Sequence, residues 1–421
     1  MATQTNRLSA RWHTHALRLA AAVPLLLAFT LPVHLAHAAT YDACPKGARY
    51  TTIQAAIDAA APGDTVRVCT ATFFENLVVT KDLTLLGASK EDTIVDGSAR
   101  GSVVTVPPGV TAAISHLTLT NGRVEPSDAV GWGSGGGVHN EGRLTLEDVN
   151  VNNNIAYMGG GIANERGELT IRSSIVIDNR AEMGAGILNN GTWEGAATML
   201  VSQTYIVDNF ATVDLFEPTH DDAGAGGGLY NSDHGLLRVE SSDIDSNVAE
   251  RYGGGIQNSE GQSFDAHLWV TATIVRGNNA FCGGGINNNA TADIAGTSIS
   301  GNQAQSAVPD AGAGFGGGIH STGTLRVANS TFSGNYASQA GGGIYTNNWS
   351  DPHNPNADVV ALTNVTLADN SAGNRGGSLY AEQGSPQLKN SILAHSPQGG
   401  SCAGVAPVSL GYNVVDDGSC A

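Results

Sequence analysis

An asparagine followed two residues later by an alanine recurs eight times along the chain: Asn154/Ala156, Asn179/Ala181, Asn209/Ala211, Asn247/Ala249, Asn278/Ala280, Asn302/Ala304, Asn335/Ala337 and Asn370/Ala372. Three residues before each asparagine stands an apolar side chain without exception, namely Val151, Val176, Ile206, Ile244, Val275, Ile299, Phe332 and Leu367. Each copy then reaches a glycine cluster and an aliphatic residue, in turn Ile162, Ile187, Leu229, Ile256, Ile286, Ile319, Ile344 and Leu379. Recurrence at fixed offsets implies a supersecondary unit that cannot bury its apolar face alone and so stacks on copies of itself.

Within a unit, apolar residues two apart alternate with polar ones, as in Leu144/Leu146, Leu169/Ile171, Leu268/Val270 and Leu325/Val327, and then one extra residue shifts the phase. That pattern describes very short strands joined by tight bends, and a unit of about 24 residues makes one turn of a parallel β-helix. Propeller blades need about 40 residues and long hairpins, which the spacing does not allow. With 55 glycines in 421 residues and 14% charged residues, the chain is too glycine-rich for a helical domain and too apolar for disorder. The expected fold class is therefore all-β, a parallel β-helix solenoid in which adjacent coils lie roughly 4.8 Å apart. Stacking gives the asparagines a reason: each amide donates to the next copy's carbonyl, so an interior polar column is satisfied. A second series, Asn140, Asn164, Asn189, Asn231, Asn258, Asn288, Ser321 and Thr346, fits the same role. The glycines are expected to supply positive φ at the bends and close backbone approach.

The first 38 residues read as a secretory signal: Arg7, Arg11 and Arg18 precede an apolar run from Leu19 to Leu31, and Ala36-His37-Ala38 suits cleavage. Removing those arginines leaves 17 basic against 38 acidic residues, a net charge of about −21, which argues against nucleic acid and anionic membrane as partners. Exported cysteines tend to pair. Cys44 with Cys69 and Cys402 with Cys420 bracket short terminal segments, leaving Cys282 as a small, semi-buried residue. A short helix with Ile53, Ala56, Ile57 and Ala60 on one face, threonines before it and Ala61-Pro62-Gly63-Asp64 after it, suits an N-terminal cap over the exposed first edge. The expected organisation is a signal peptide over 1–38, cap and first coils over 39–111, repeats over 112–396 and a C-terminal cap over 397–421.

The Gly-Gly-Gly-Ile and x-x-Asn pairing resembles the repeat of polymorphic outer membrane proteins. Thr51–Val68 resembles the opening of secreted bacterial pectin-lyase-like proteins, and the stretch from Asn390 to Cys420 is similar to the end of secreted β-helix proteins. The resemblance implies a right-handed parallel β-helix and leaves activity open, because the same coil carries lyases, hydrolases, epimerases and adhesins. Unlike the outer-membrane family, the repeats are followed by no barrel-like region. Asp351-Pro352-His353-Asn354 is similar to the Asp-Pro-His-Glu motif of mannuronan epimerases, but with Asn in place of the acid and in a long loop it reads as a chance match.

Function on a rod of minimal coils belongs in the insertions. Arg123 to Ser134, Thr212 to Gly224 and Gln305 to Gly314 leave one edge; Gly191 to Thr198, Ser259 to His267 and Asn347 to Asp358 leave a second. Their aromatic residues, Trp132, Trp193, Phe216, Phe264 and Trp349, offer flat faces to sugar rings or, equally, anchor each loop on its own coil. Asp214, Glu217, His220, Asp221 and Asp222 crowd one loop. There, Asp214, Asp221 and Asp222 are candidate Ca²⁺ ligands, and His220 with Asp221 and Asp222 a candidate acid–base set. Outward Asp178 and Asp208 on successive coils are a second Ca²⁺ hint, with solvated carboxylates as the plain alternative. The expected function is a monomeric secreted or cell-surface protein whose loops bind glycan or another surface without catalysis. The alternatives are a polysaccharide lyase or glycoside hydrolase and a structural envelope component.

Overall fold

The computed structural model describes residues 38–126, 133–192, 194–216, 223–259, 266–305, 314–347 and 359–420. From Thr40 to Val415 the chain winds as a right-handed parallel β-helix, with three parallel sheets of 25, 12 and 9 strands running along its length. The broad sheet receives two short strands from most coils, for example Glu168–Arg172 and Ile175–Ile177. The narrow sheet takes the two residues after each laddered asparagine, such as Arg180–Ala181. The third, which we call the glycine-bend sheet, takes the strand that follows each glycine cluster, such as Ile187–Asn190.

Register holds throughout. Leu144 sits beside Leu169, Leu169 beside Met199, and Val176 beside Ile206, so like side chains stack on like and fill one continuous apolar core. Both asparagine columns point inward. Asn154, Asn179, Asn209, Asn247, Asn278, Asn302, Asn335 and Asn370 are fully buried, and each Nδ2 donates to the Oδ1 of the next at 2.8–3.1 Å. The same Oδ1 accepts the backbone N–H of the preceding asparagine, as Asn247 does from Asn209 at 3.1 Å. The second column runs from Asn140 through Asn288 and passes to Ser321 Oγ at 3.0 Å.

A third interior column stands five residues before each laddered asparagine, at a series of small or β-branched residues. Ser174, Thr204, Ser242, Thr273, Thr297 and Ser330 are buried, and each hydroxyl donates to the carbonyl two residues earlier. Several also accept an N–H from the preceding coil, as Ser242 does from Thr204 at 3.2 Å. The residue before each hydroxyl is left-handed, including Ser173, Gln203, Ser241 and Ala272 at φ of 49–51°. The residue before each laddered asparagine is left-handed too, including Asn153, Asp178, Asp208 and Ser246. Glycines therefore share the left-handed positions with Asn, Asp, Ser, Gln and Ala. Only the first glycine of each cluster has positive φ, such as Gly253 at 64°. The third is required by closeness, since a Cβ on Gly255 would lie 2.6 Å from the carbonyl oxygen of Gly285.

The helix Ile53–Ala59 buries Ile53, Ala56 and Ile57; the Thr52 hydroxyl accepts from the Ala55 N–H, and the Glu75 carboxylate accepts from the N–H groups of Ile53 and Gln54 at 2.8 and 2.9 Å. Disulfides join Cys44 to Cys69 and Cys402 to Cys420, one near each end, and Cys282 is free and buried. Past residue 396, Cys402–Gly404, Val408–Ser409 and Val414–Val415 still stack on the preceding coil. Among the described residues no helix is long and apolar enough to cross a membrane.

Candidate functional site

In the glycine-bend sheet, the aliphatic residue and the asparagine of each Ile-x-Asn strand face the core, which turns the residue between them outward. Register makes a single outward column: His139, Ala163, Leu188, Tyr230, Gln257, Asn287, His320, Tyr345 and Tyr380. Beside it, the residue before each glycine cluster forms a second column, Ser134, Met158, Met183, Ala225, Tyr252, Cys282, Phe315, Ala340 and Arg375. Both insertion edges expected from the sequence flank this face, because one joins the narrow sheet to it and the other leads from it to the broad sheet.

Chemistry changes along the column. At the N-terminal end, the Glu165 carboxylate accepts from Ser134 Oγ at 2.6 Å and lies 3.4 Å from His139 Nε2. Burial works against charge on His139, but the hydrogen bond and charge of Glu165, with Glu141 behind, outweigh it and hold the imidazole above its ordinary value. Burial likewise opposes ionisation of Glu165, and the bonds from His139 and Ser134 overcome it and depress the carboxyl. His139, Glu141 and Glu165 bring possible metal-ligand atoms within 4.8 Å of one another. Arg166 sits 2.8 Å from Glu141 and 3.4 Å from Glu194, so one of the two carboxylates already has a guanidinium partner.

The middle is apolar: Tyr157, Ala163, Met183, Leu188, Ala225 and Tyr230 form a buried cluster of their own outside the coil. Toward the C-terminal end an amide relay takes over. Asn287 Nδ2 donates to Gln257 Oε1 at 2.8 Å, and Asn287 Oδ1 lies 2.6 Å from His320 Nδ1. Burial pushes the His320 imidazole down to about 4, so it is neutral, and the acceptor at Asn287 places its proton on Nδ1. His320 stacks on Tyr345 and Tyr345 on Tyr380, with ring centroids 4.9 and 5.3 Å apart, and Phe315 leans on Tyr345 at 4.8 Å. The Tyr345 hydroxyl donates to Glu382, and burial together with that carboxylate raises the phenol. The stack emerges from the protein at Tyr380, where Arg375 lies 5.5 Å over the ring.

Trp132, Trp193, Phe264, Trp349, Glu217, His220, Asp221, Asp222 and the Asp351–Asn354 stretch lie outside the described residues. Phe216 is half-buried, 6.4 Å from Tyr157 with Arg123 over its ring, and its N–H bonds Glu182 at 2.7 Å, so it anchors its own loop. Asp214 is exposed. Asp178 and Asp208 do stack outward; burial, Asp178 and then Asp245 hold the Asp208 carboxyl above its ordinary value. Burial raises the Cys282 thiol to about 11, which leaves it inert. The outward column was missed although its signal was present: it is the variable residue of every Gly-Gly-Gly-Ile-x-Asn unit, where imidazole, amide and aromatic side chains collect.

No protein-family model and no curated protein matches the chain. Among solved structures, the A-module of a mannuronan C-5 epimerase from Azotobacter vinelandii aligns at 16% identity over 85% of this chain and 94% of its own, with a TM-score of 0.50. The catalytic unit of a GH87 α-1,3-glucanase from Streptomyces thermodiastaticus aligns at 14% identity over 86% and 64%, with a TM-score of 0.48. A pectin methylesterase from Erwinia chrysanthemi aligns at 12% over 91% and 93%, with a TM-score of 0.29. The likeness to the first of these is one of architecture: this chain shares with it the right-handed parallel β-helix fold.

Proposed function

We infer that the protein is exported and binds an extended polysaccharide along the outward face of the glycine-bend sheet. The observation that carries this reading is the His320–Tyr345–Tyr380 stack, which runs along the solenoid axis and opens at Tyr380 between Arg375 and Glu382. Sugar rings pack their C–H faces on aromatic rings and bond their hydroxyls to neighbouring carboxylates and guanidinium groups, and the accessible end of this face carries Tyr380 with Arg375 and Glu382 exposed nearby. Two disulfides and an acidic chain suit an oxidising exterior. Affinity electrophoresis through gels containing soluble neutral or acidic polysaccharides tests the reading. Wild type should be retarded by at least one of them and Tyr380→Ala much less; equal retardation of the two proteins, or none for wild type, overturns it.

A second reading, a polysaccharide-active enzyme, is favoured by one arrangement. Ser134, Glu165 and His139 are joined at the N-terminal end of the same face, with the carboxyl held below and the imidazole above its ordinary value. Release of new reducing or unsaturated ends from the retained polysaccharide, lost in Glu165→Gln with binding intact, would establish it. Binding without product in both proteins would leave the non-catalytic reading standing.

A further inference from the structure

A second site lies on the broad sheet, on a different face of the coil. In its second strand column Tyr205, Asp243 and Ile274 are direct neighbours on three successive coils, all pointing outward. Tyr205 is 55% exposed and Ile274 40%, whereas the Asp243 side chain is only 15% exposed. Two walls two coils apart, roughly 9–10 Å at the strand spacing, thus flank a carboxyl at the floor. The left-handed bends at Gln203, Ser241 and Ala272 close the slot at one end and leave a cavity of about 320 Å³. That width takes the thickness of one pyranose ring with van der Waals contact on each side, and a phenol with an aliphatic wall is what its C–H faces require.

Local charge then selects among sugars. Asp243 Oδ2 lies 3.2 Å from Arg276, but the same guanidinium also serves Asp245 at 2.9 Å, so two carboxylates share one cation. Asp243 Oδ1 is buried and finds no donor among the described residues. A carboxylate oxygen in that state lacks a hydrogen-bond donor, and with one negative charge in excess the best donor is a positive one. The Asp243 carboxyl lines the slot between the two walls.

We propose that the slot formed by Tyr205, Asp243 and Ile274 binds a pyranose bearing a free primary ammonium group, as in a deacetylated hexosamine polymer. The ring lies between Tyr205 and Ile274, and the ammonium group donates to Asp243. The site shares no residue with the glycine-bend face, so it stands whether or not that face binds glycan.

Calorimetric titration of the whole protein with three probes of like backbone tests it: a β-1,4-glucosamine hexamer, its N-acetylated form and cellohexaose, at about pH 6 and about 0.15 M salt. The glucosamine hexamer should bind about tenfold or more tightly than either other probe. Asp243→Asn and Tyr205→Ala should each weaken it by about tenfold, while Glu147→Gln, which removes an acid on a distant part of the sheet, should leave it unchanged. Asp243→Asn is isosteric, so folding is retained, and far-ultraviolet circular dichroism confirms it for each variant. Equal binding of the N-acetylated hexamer, equal losses in Asp243→Asn and Glu147→Gln, or no binding of the glucosamine hexamer each overturns the proposal.

Discussion

At the scale of single residues, the ladders are where the fold is most exposed to mutation. Asn247 Oδ1 accepts both the backbone N–H and the Nδ2 of Asn209, so Asn247→Ala strands two buried donors at once. A cost of about 3 kcal/mol or more follows, and urea unfolding should show it as a lowered midpoint with the slope unchanged. Glycines divide by mechanism. Gly255→Ala drives a methyl group into the Gly285 carbonyl and should leave little soluble protein, whereas Gly301, left-handed and with open space around it, stands where sister coils carry Asp178, Asp208 or Asn153. Gly301→Asn should therefore shift the midpoint by less than about 0.5 kcal/mol in the same assay, because Asn tolerates the left-handed region. Cys282, buried with its thiol raised to about 11, should resist iodoacetamide in the folded protein and react promptly in urea; rapid native labelling would contradict its placement in the wall of the coil.

Pairs of elements govern the response to pH. His139 and Glu165 sit on adjacent strands of the glycine-bend sheet, one held above its ordinary value of 6.5 and the other below its ordinary value of 4.5. The raised imidazole contributes stability that is complete below its unfolded value and is lost as pH rises through the folded one. The depressed carboxyl contributes stability that is present above its unfolded value and is lost as pH falls through the folded one. Their joint contribution is therefore largest in the window between the two ordinary values. The stability difference between wild type and Glu165→Gln, from urea melts, should be greater at pH 5.5 than at pH 9. A difference independent of pH would mean that the pair is not charged in the folded state. At the N-terminal end the helix depends on Glu75 from the following coil rather than on an acid of its own first turn, so Glu75→Gln should loosen the cap without disturbing distant coils.

On the scale of the whole molecule, stacking in register converts a periodic sequence into columns, and each column is satisfied only because its neighbour one coil away is the same. The repeat of Asn-x-Ala and Gly-Gly-Gly-Ile-x-Asn, together with apolar residues two apart, was enough to determine strand length, coil size, both inward asparagine ladders and the capping helix, since all of these are local periodicities that a packed core must obey. The series from Ser174 to Ser330, bounded by Val149 and Val365 at the same offset, reads in the sequence only as small or β-branched residues, because the N–H that most of these hydroxyls accept comes from another coil. The outward faces were less legible still. Nothing in a single unit says that His320 will meet Asn287 and Tyr345, or that Tyr205 and Ile274 will stand on either side of Asp243, because such neighbours are separated by a coil of variable length and their contact depends on how the insertions set the register. The sequence by itself thus determined what lies inside the coil, where every position repeats under the same packing constraint. Only the tertiary structure decided which dissimilar side chains meet outside it, where the constraint is absent and each contact is made across coils.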